Sequence, residues 1–206
     1  MALSYPLALP SSQEAREITI RARSVVGVSE SPFTFEQQVQ AMAGERWEAD
    51  IALPPMTRAD AEDWIGWLMG LNGQEGTFLM GDPVNTSPRG TWAGTPLVNG
   101  SHAARAKSIA MDGFSAGATV KRGDWCQIGT GSSSRLYKVV QDAAANGSGV
   151  LTLEIWPGLR DTLANNTALD TSSPVGLWRL ASNVREYTIG LARIYGLRFS
   201  CVEALP

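Results

Sequence analysis

Over most of its readable segments this chain repeats apolar residues at every second position, and over one segment only at every third or fourth. That contrast constrains the fold most, because a period of two is the pattern of half-buried strands and a period near 3.6 that of an amphipathic helix. Ile18, Ile20 and Ala22 alternate with Glu17, Thr19 and Arg21, which predicts a first strand. Phe33, Phe35 and Val39 make a second run; after the small residues around Ala43 and Gly44, Trp47, Ala49, Ile51 and Leu53 alternate against Glu48 and Asp50. The two runs read as a hairpin. Pro54 and Pro55 stop it, since proline lacks the ladder N–H and restricts the residue before it. Near the other end, Tyr187, Ile189 and Leu191, then Tyr195, Leu197, Phe199 and Cys201, form two closing strands.

The helical exception spans Thr57 to Asn72. Thr57 followed by Asp60 predicts a capping box with Asp in place of Glu, and Asn72-Gly73 supplies a stop. Ala61, Trp64, Ile65, Leu68 and Leu71 make one stripe, flanked by Trp67 and Met69. Such a stripe has to lie on a sheet.

Beyond a short strand at Thr77 to Met80, residues 82 to 94 are rich in Pro, Gly, Ser, Thr and Asn and read as a linker. Short strands follow at Ser108 to Met111, Trp125 to Ile128, Leu136 to Val140 and Val150 to Trp156, separated by glycine turns. That spacing describes a small β-barrel or sandwich. The first 84 residues hold too few strands for a sheet of their own. The expected organisation is therefore a split outer domain, residues 1–84 plus 181–206, around an inserted β-domain, residues 85–180. With 206 residues, 21 glycines and seven tryptophans, the chain suits a mainly β fold with one helix.

Charge and cysteine usage narrow the function. The net charge of −3 provides no basic field for sequence-specific DNA binding. Residues 1–84 carry 5 basic and 12 acidic side chains, residues 85–180 carry 9 and 6, and residues 181–206 carry 3 and 2, so the outer domain sums to −7 and +1, or −6. Cys126 and Cys201, each in an apolar run, are expected to be buried thiols of a reducing compartment. Met1 to Pro10 has no basic n-region and is interrupted by Pro6 and Pro10, unlike a signal peptide, and a soluble protein made in a cytoplasm is expected.

The reactive motifs are weak. Gly113-Phe114-Ser115-Ala116-Gly117 matches a nucleophile elbow, but strand and turn sequence follows it and the sole histidine, His102, precedes Ser115. Arg122-Gly123-Asp124 matches an adhesion tripeptide and reads as a turn leading into a strand. Gly129 to Ser134 lacks the lysine and helix of a phosphate cradle. One histidine and two distant cysteines do not make a zinc set. Glu62 and Asp63 have no histidine beside them and read as a solvated face. No catalytic, cofactor-binding or metal-binding residue is therefore expected, and no enzyme.

The order of these features carries a resemblance. The helix entry Pro54-Pro55-Met56-Thr57-Arg58, the strand end Phe78-Leu79-Met80-Gly81-Asp82-Pro83, and the inserted segments Lys121-Arg122-Gly123-Asp124-Trp125-Cys126-Gln127-Ile128, Arg135-Leu136-Tyr137-Lys138-Val139 and Leu153-Glu154-Ile155-Trp156-Pro157-Gly158-Leu159-Arg160 are similar to minor tail proteins of long-tailed bacteriophages, in particular the distal tail protein class. The resemblance implies a tail-tube-like outer domain that forms a six-membered ring in the virion tail. That ring joins the tail tube protein to the tip hub or baseplate, and viral DNA passes its lumen without specific binding. The family supplies no catalytic residues. A tail terminator, or a receptor- or glycan-binding tail module using exposed tryptophans such as Trp92 or Trp125, are the other readings.

Overall fold

The alternating segments fold into antiparallel sheets and the single 3.6-period segment into a helix, in a computed structural model that describes residues 3 to 205. Met1, Ala2 and Pro206, at the ends of the expected outer domain, lie outside the described residues. The elements are β1 (Glu17–Glu30), β2 (Gln37–Ala52), α1 (Arg58–Gly70), β3 (Phe78–Gly81), β4 (Gly94–Val98), β5 (Ser108–Phe114), β6 (Thr119–Val120), β7 (Trp125–Ile128), β8 (Arg135–Val139), β9 (Ala143–Ala144), β10 (Leu151–Trp156), β11 (Leu169–Asp170), β12 (Val175–Leu180), β13 (Tyr187–Ile189) and β14 (Tyr195–Glu203). The fold is mainly β, with one nearly closed six-stranded barrel.

The first sheet has the order β1-β2-β14-β12-β3, with β13 paired to the start of β14. Its core face carries Ile18, Ile20, Trp47, Ala49, Ile51, Phe199 and Cys201, on which α1 lays Trp64, Trp67 and Leu68. Trp67 stands edge-on to Phe78 with ring centres 5.0 Å apart. Trp67 flanks the expected stripe yet is buried, whereas Met69 stays exposed. Thr57 is the N-cap, but its hydroxyl donates to the Asp60 carboxylate at 3.2 Å and accepts no backbone N–H, so the expected capping box is not formed.

The second sheet runs β11-β7-β8-β10-β5-β4. It is brought nearly into a barrel by the Leu97–Ala168 bridge and by the Val98 N–H donating to the Thr167 carbonyl at 3.0 Å. A core of Val98, Ile109, Met111, Cys126, Tyr137, Leu153 and Ile155 fills it. β5 and β10 alternate buried and more open residues, whereas β7 is buried at all four positions and β8 at four of five, so it is the glycine turns between them that mark these strands in the sequence.

Two sequence expectations change. The hairpin is not folded at Ala43-Gly44: β2 is one continuous strand paired to a 14-residue β1, and the turn lies at Ser31 to Glu36. Gly44 sits instead in an irregularity where β2 carries three residues, Met42 to Gly44, opposite Val25. A Cβ on Gly44 would stand 2.8 Å from the Val25 side chain. Second, β12, which the division at residue 180 assigns to the insert, pairs with β3 and β14 in the first sheet. Its pattern was hidden because both faces are covered, and Gly176 admits Leu136, whose Cβ is 2.9 Å from where a Gly176 Cβ would be.

The barrel is fastened to the first sheet. Trp47 donates its indole N–H to the Leu136 carbonyl at 2.9 Å and packs on Trp125 and Trp156 at 4.9 and 4.4 Å between ring centres. Buried Glu203 accepts from Arg160 Nε at 2.9 Å and from the Trp47 backbone N–H at 3.1 Å. Glu45 accepts from Lys107 Nζ at 2.5 Å and from the Gly158 N–H at 3.0 Å. Burial alone would raise the Glu45 pKa, but these donors outweigh it and hold the carboxyl below its ordinary value.

Candidate functional site

Each weak motif has a structural place. Gly113 and Gly117 both take positive φ, and the Ala118 N–H donates to the Ser115 carbonyl, so this segment is a turn. Among the hydrogen bonds of the described residues none joins Ser115 to His102, whose Nε2 lies against the Asn99 carbonyl and the Ala110 amide. In the adhesion-like tripeptide Asp124 is fully buried. Its carboxylate accepts the backbone N–H groups of Arg89, Gly90 and Lys121 and the Trp92 indole N–H, at 2.7 to 3.1 Å. Desolvation pushes its pKa up, but the Trp92 and backbone donors together prevail and hold it low. An adhesion receptor cannot reach a carboxylate enclosed in this way.

Gly129 to Ser134 forms a 3-10 turn over Gly131–Ser133. Trp92 and Trp125 are buried, the first on Asp124 and the second under Lys138, whose Nζ is 4.0 Å from the ring centre. Neither offers the exposed stacking platform that the glycan-binding reading required. Cys126 and Cys201 are free and buried, and burial pushes both thiols up, Cys126 to about 12. Among the described residues no group of three or more His, Cys, Asp or Glu could hold a metal.

A groove of about 960 Å³ lies along the first sheet, lined by Glu17, Asp50, Leu68, Arg185, Tyr187 and Arg198 among others. Its best-placed carboxylate, Asp50, is tied to Arg21 at 2.6 Å and to the Ser200 hydroxyl at 2.6 Å, and Arg21 holds it below its ordinary pKa. Register places Arg21, Arg23, Arg46, Arg179 and Arg198 on the outer face of the sheet with Glu17, Glu48 and Asp50. The net acidity expected of the outer domain therefore does not extend here; Asp60, Glu62 and Asp63 lie on α1, across the sheet.

What remains is the outer half of the β1–β2 hairpin. Every residue from Arg21 to Glu30 and from Pro32 to Gly44 is exposed. The seven residues of β1 from Ser24 to Glu30, at ~3.3 Å each, carry it about 23 Å past the body. Pairs on one face are Val26–Ala41, Val28–Val39 and Glu30–Gln37. This face continues the one that buries Ile18, Ile20 and Ile51, because the two extra residues of β2 leave its alternation in phase. The core face thus runs on into solvent, still apolar. At the tip Phe33 is 92% exposed and Phe35 74%, and Phe35 adopts φ 57°, a conformation that disfavours a bulky side chain. Sequence reading found these apolar residues but placed them in a hairpin folded back on itself, because alternation reports which face is apolar and not whether anything covers it. No protein-family model matches the chain, and neither does any curated protein.

Proposed function

We propose that this chain is a ring-forming structural component of the tail tip of a long-tailed bacteriophage, joining the tail tube to the tip hub and letting DNA pass through its lumen. The observation that carries this reading is the bare hairpin. An isolated two-stranded ribbon is marginal in water, and a monomer gains nothing from projecting valines and phenylalanines into it. A neighbouring copy would cover them.

The strand order leaves β1 as an unpaired edge, 14 residues long, of the kind that a second chain completes. A scaffold of sheet, one helix and an inserted barrel fixed by Trp47, Glu45 and Glu203 is suited to presenting that edge rigidly. The lumen would not need an acidic wall: Arg21, Arg23 and Arg46 are each held on Asp50 or Glu48, which weakens their grip on phosphate.

Sedimentation velocity of the purified full-length chain across a wide concentration range tests the reading. The expected result is a concentration-dependent oligomer of defined size. A monomer at every concentration, even with tail tube and hub proteins added, would remove it.

A further inference from the structure

A closed ring of identical subunits needs two unlike, complementary patches on each copy. The hairpin is one. A second stands at β13 and the turn into β14, where Val184, Ile189, Leu191 and Ile194 are exposed, Leu191 completely. Two hydrogen bonds hold this turn: the Gly190 N–H donates to the Ile194 carbonyl and the Arg193 N–H to the Gly190 carbonyl, both at 2.9 Å. Its apolar residues are therefore displayed by an ordered turn.

The two patches lie at opposite ends of the same strands. Tyr195, which opens β14, is bridged to Met56 just beyond the C-terminal end of β2, whereas the bare hairpin is the N-terminal end of β2. Within one copy they cannot meet. Their charges also differ in sign: between residues 24 and 44, outside the half-buried Glu45, the charged side chains are Glu30 and Glu36, while residues 182 to 198 hold Arg185, Arg193 and Arg198 against Glu186. Charge of −2 faces charge of +2. The area bears on the contact as well. One face of ~23 Å by ~10 Å, with two phenylalanines of ~150–250 Å² each, gives ~530–730 Å², the larger part of the ~800 Å² per partner of a standard interface.

We infer that the β1–β2 hairpin of one copy seats on the β13–β14 turn of the next, apolar face to apolar turn, with Glu30 and Glu36 against Arg193. This rests on the ring-forming reading and assigns its two contact surfaces.

Engineered thiols test it, because native Cys126 and Cys201 are buried and do not compete. Val28→Cys and Leu191→Cys are made separately and together; both positions are exposed, so folding is not at stake. Under mild oxidation, mixing the two single variants should give disulfide-linked dimers roughly a hundredfold faster than either alone, as for thiols held at ~mM effective concentration. The double variant should give a ladder that stops at a fixed number. Val28→Cys dimerising by itself as fast as the mixture would overturn the assignment, since hairpins would then meet each other. Wild-type rings without cross-linking in the mixture would overturn it while leaving the ring reading intact. An endless ladder would support the contact and remove the closed ring.

Discussion

Val39 and Ile51 lie on the same strand and the same face, yet Val39 is 62% exposed and Ile51 3%. Replacing each with Asp separates an assembly surface from a core. Val39 touches no buried cluster, so Val39→Asp should change the stability of the isolated subunit by no more than ~0.5–1 kcal/mol, the cost of a surface change plus lost strand preference. In the assembly it removes ~2 kcal/mol of apolar burial and places a carboxylate against an apolar partner, for a total of ~4 kcal/mol, or about a thousandfold in the dissociation constant. Ile51→Asp should yield no folded protein. Thermal unfolding followed by near-ultraviolet circular dichroism reads the first quantity, and sedimentation velocity the second. A Val39→Asp protein that fails to fold as Ile51→Asp does, or that assembles as well as wild type, refutes the idea that this face is covered by a neighbour.

Other parts of the molecule give further expected outcomes. Asp124→Asn removes the charge that four donors surround and should cost about 3 kcal/mol, lowering the melting temperature by ~6–12 °C. Because Asp124 and Glu45 are both held below their ordinary pKa in the folded chain, the stability they contribute is complete above the unfolded carboxyl value near ~4 and is lost as pH falls through the depressed folded values. Melting temperature measured from pH 7 to 3 should fall at the acid end, less steeply in Asp124→Asn. A thiol-specific chromogenic reagent at pH 8 should label neither Cys126 nor Cys201 in the native protein and both after denaturation. Finally, Glu30→Arg with Glu36→Arg should abolish oligomers seen by native mass spectrometry, and Arg193→Glu in the same chain should restore them in part; failure of the restoring change would show that these charges do not face one another.

Much of the fold was legible because burial on one face writes itself into alternation. Glycine turns locate β7, β8 and β10 within a residue of their observed ends, and Trp64 and Leu68 identify the face of α1 that meets the sheet. Other strands were hidden. β12 is covered on both sides and opens Val175-Gly176, so it shows no alternation, while β6, β9 and β11 are two-residue pairs fixed by tertiary contacts. The long-range links were also out of reach: nothing local in Asp124 announces that Arg89, Gly90 and Trp92 will close around it. The candidate site was half legible. Phe33, Phe35 and Val39 stood out as apolar, but exposure is a property of the folded body, which ends at Ser24 and Glu45.

That the bare apolar strands serve as contact surface between copies is tested most directly by negative-stain imaging of the purified full-length chain at concentrations where it oligomerises. Closed rings with a central opening, lost in Val39→Asp, are the expected result. Separate compact particles with the hairpin free, at every concentration and with tail tube and hub proteins present, would contradict it.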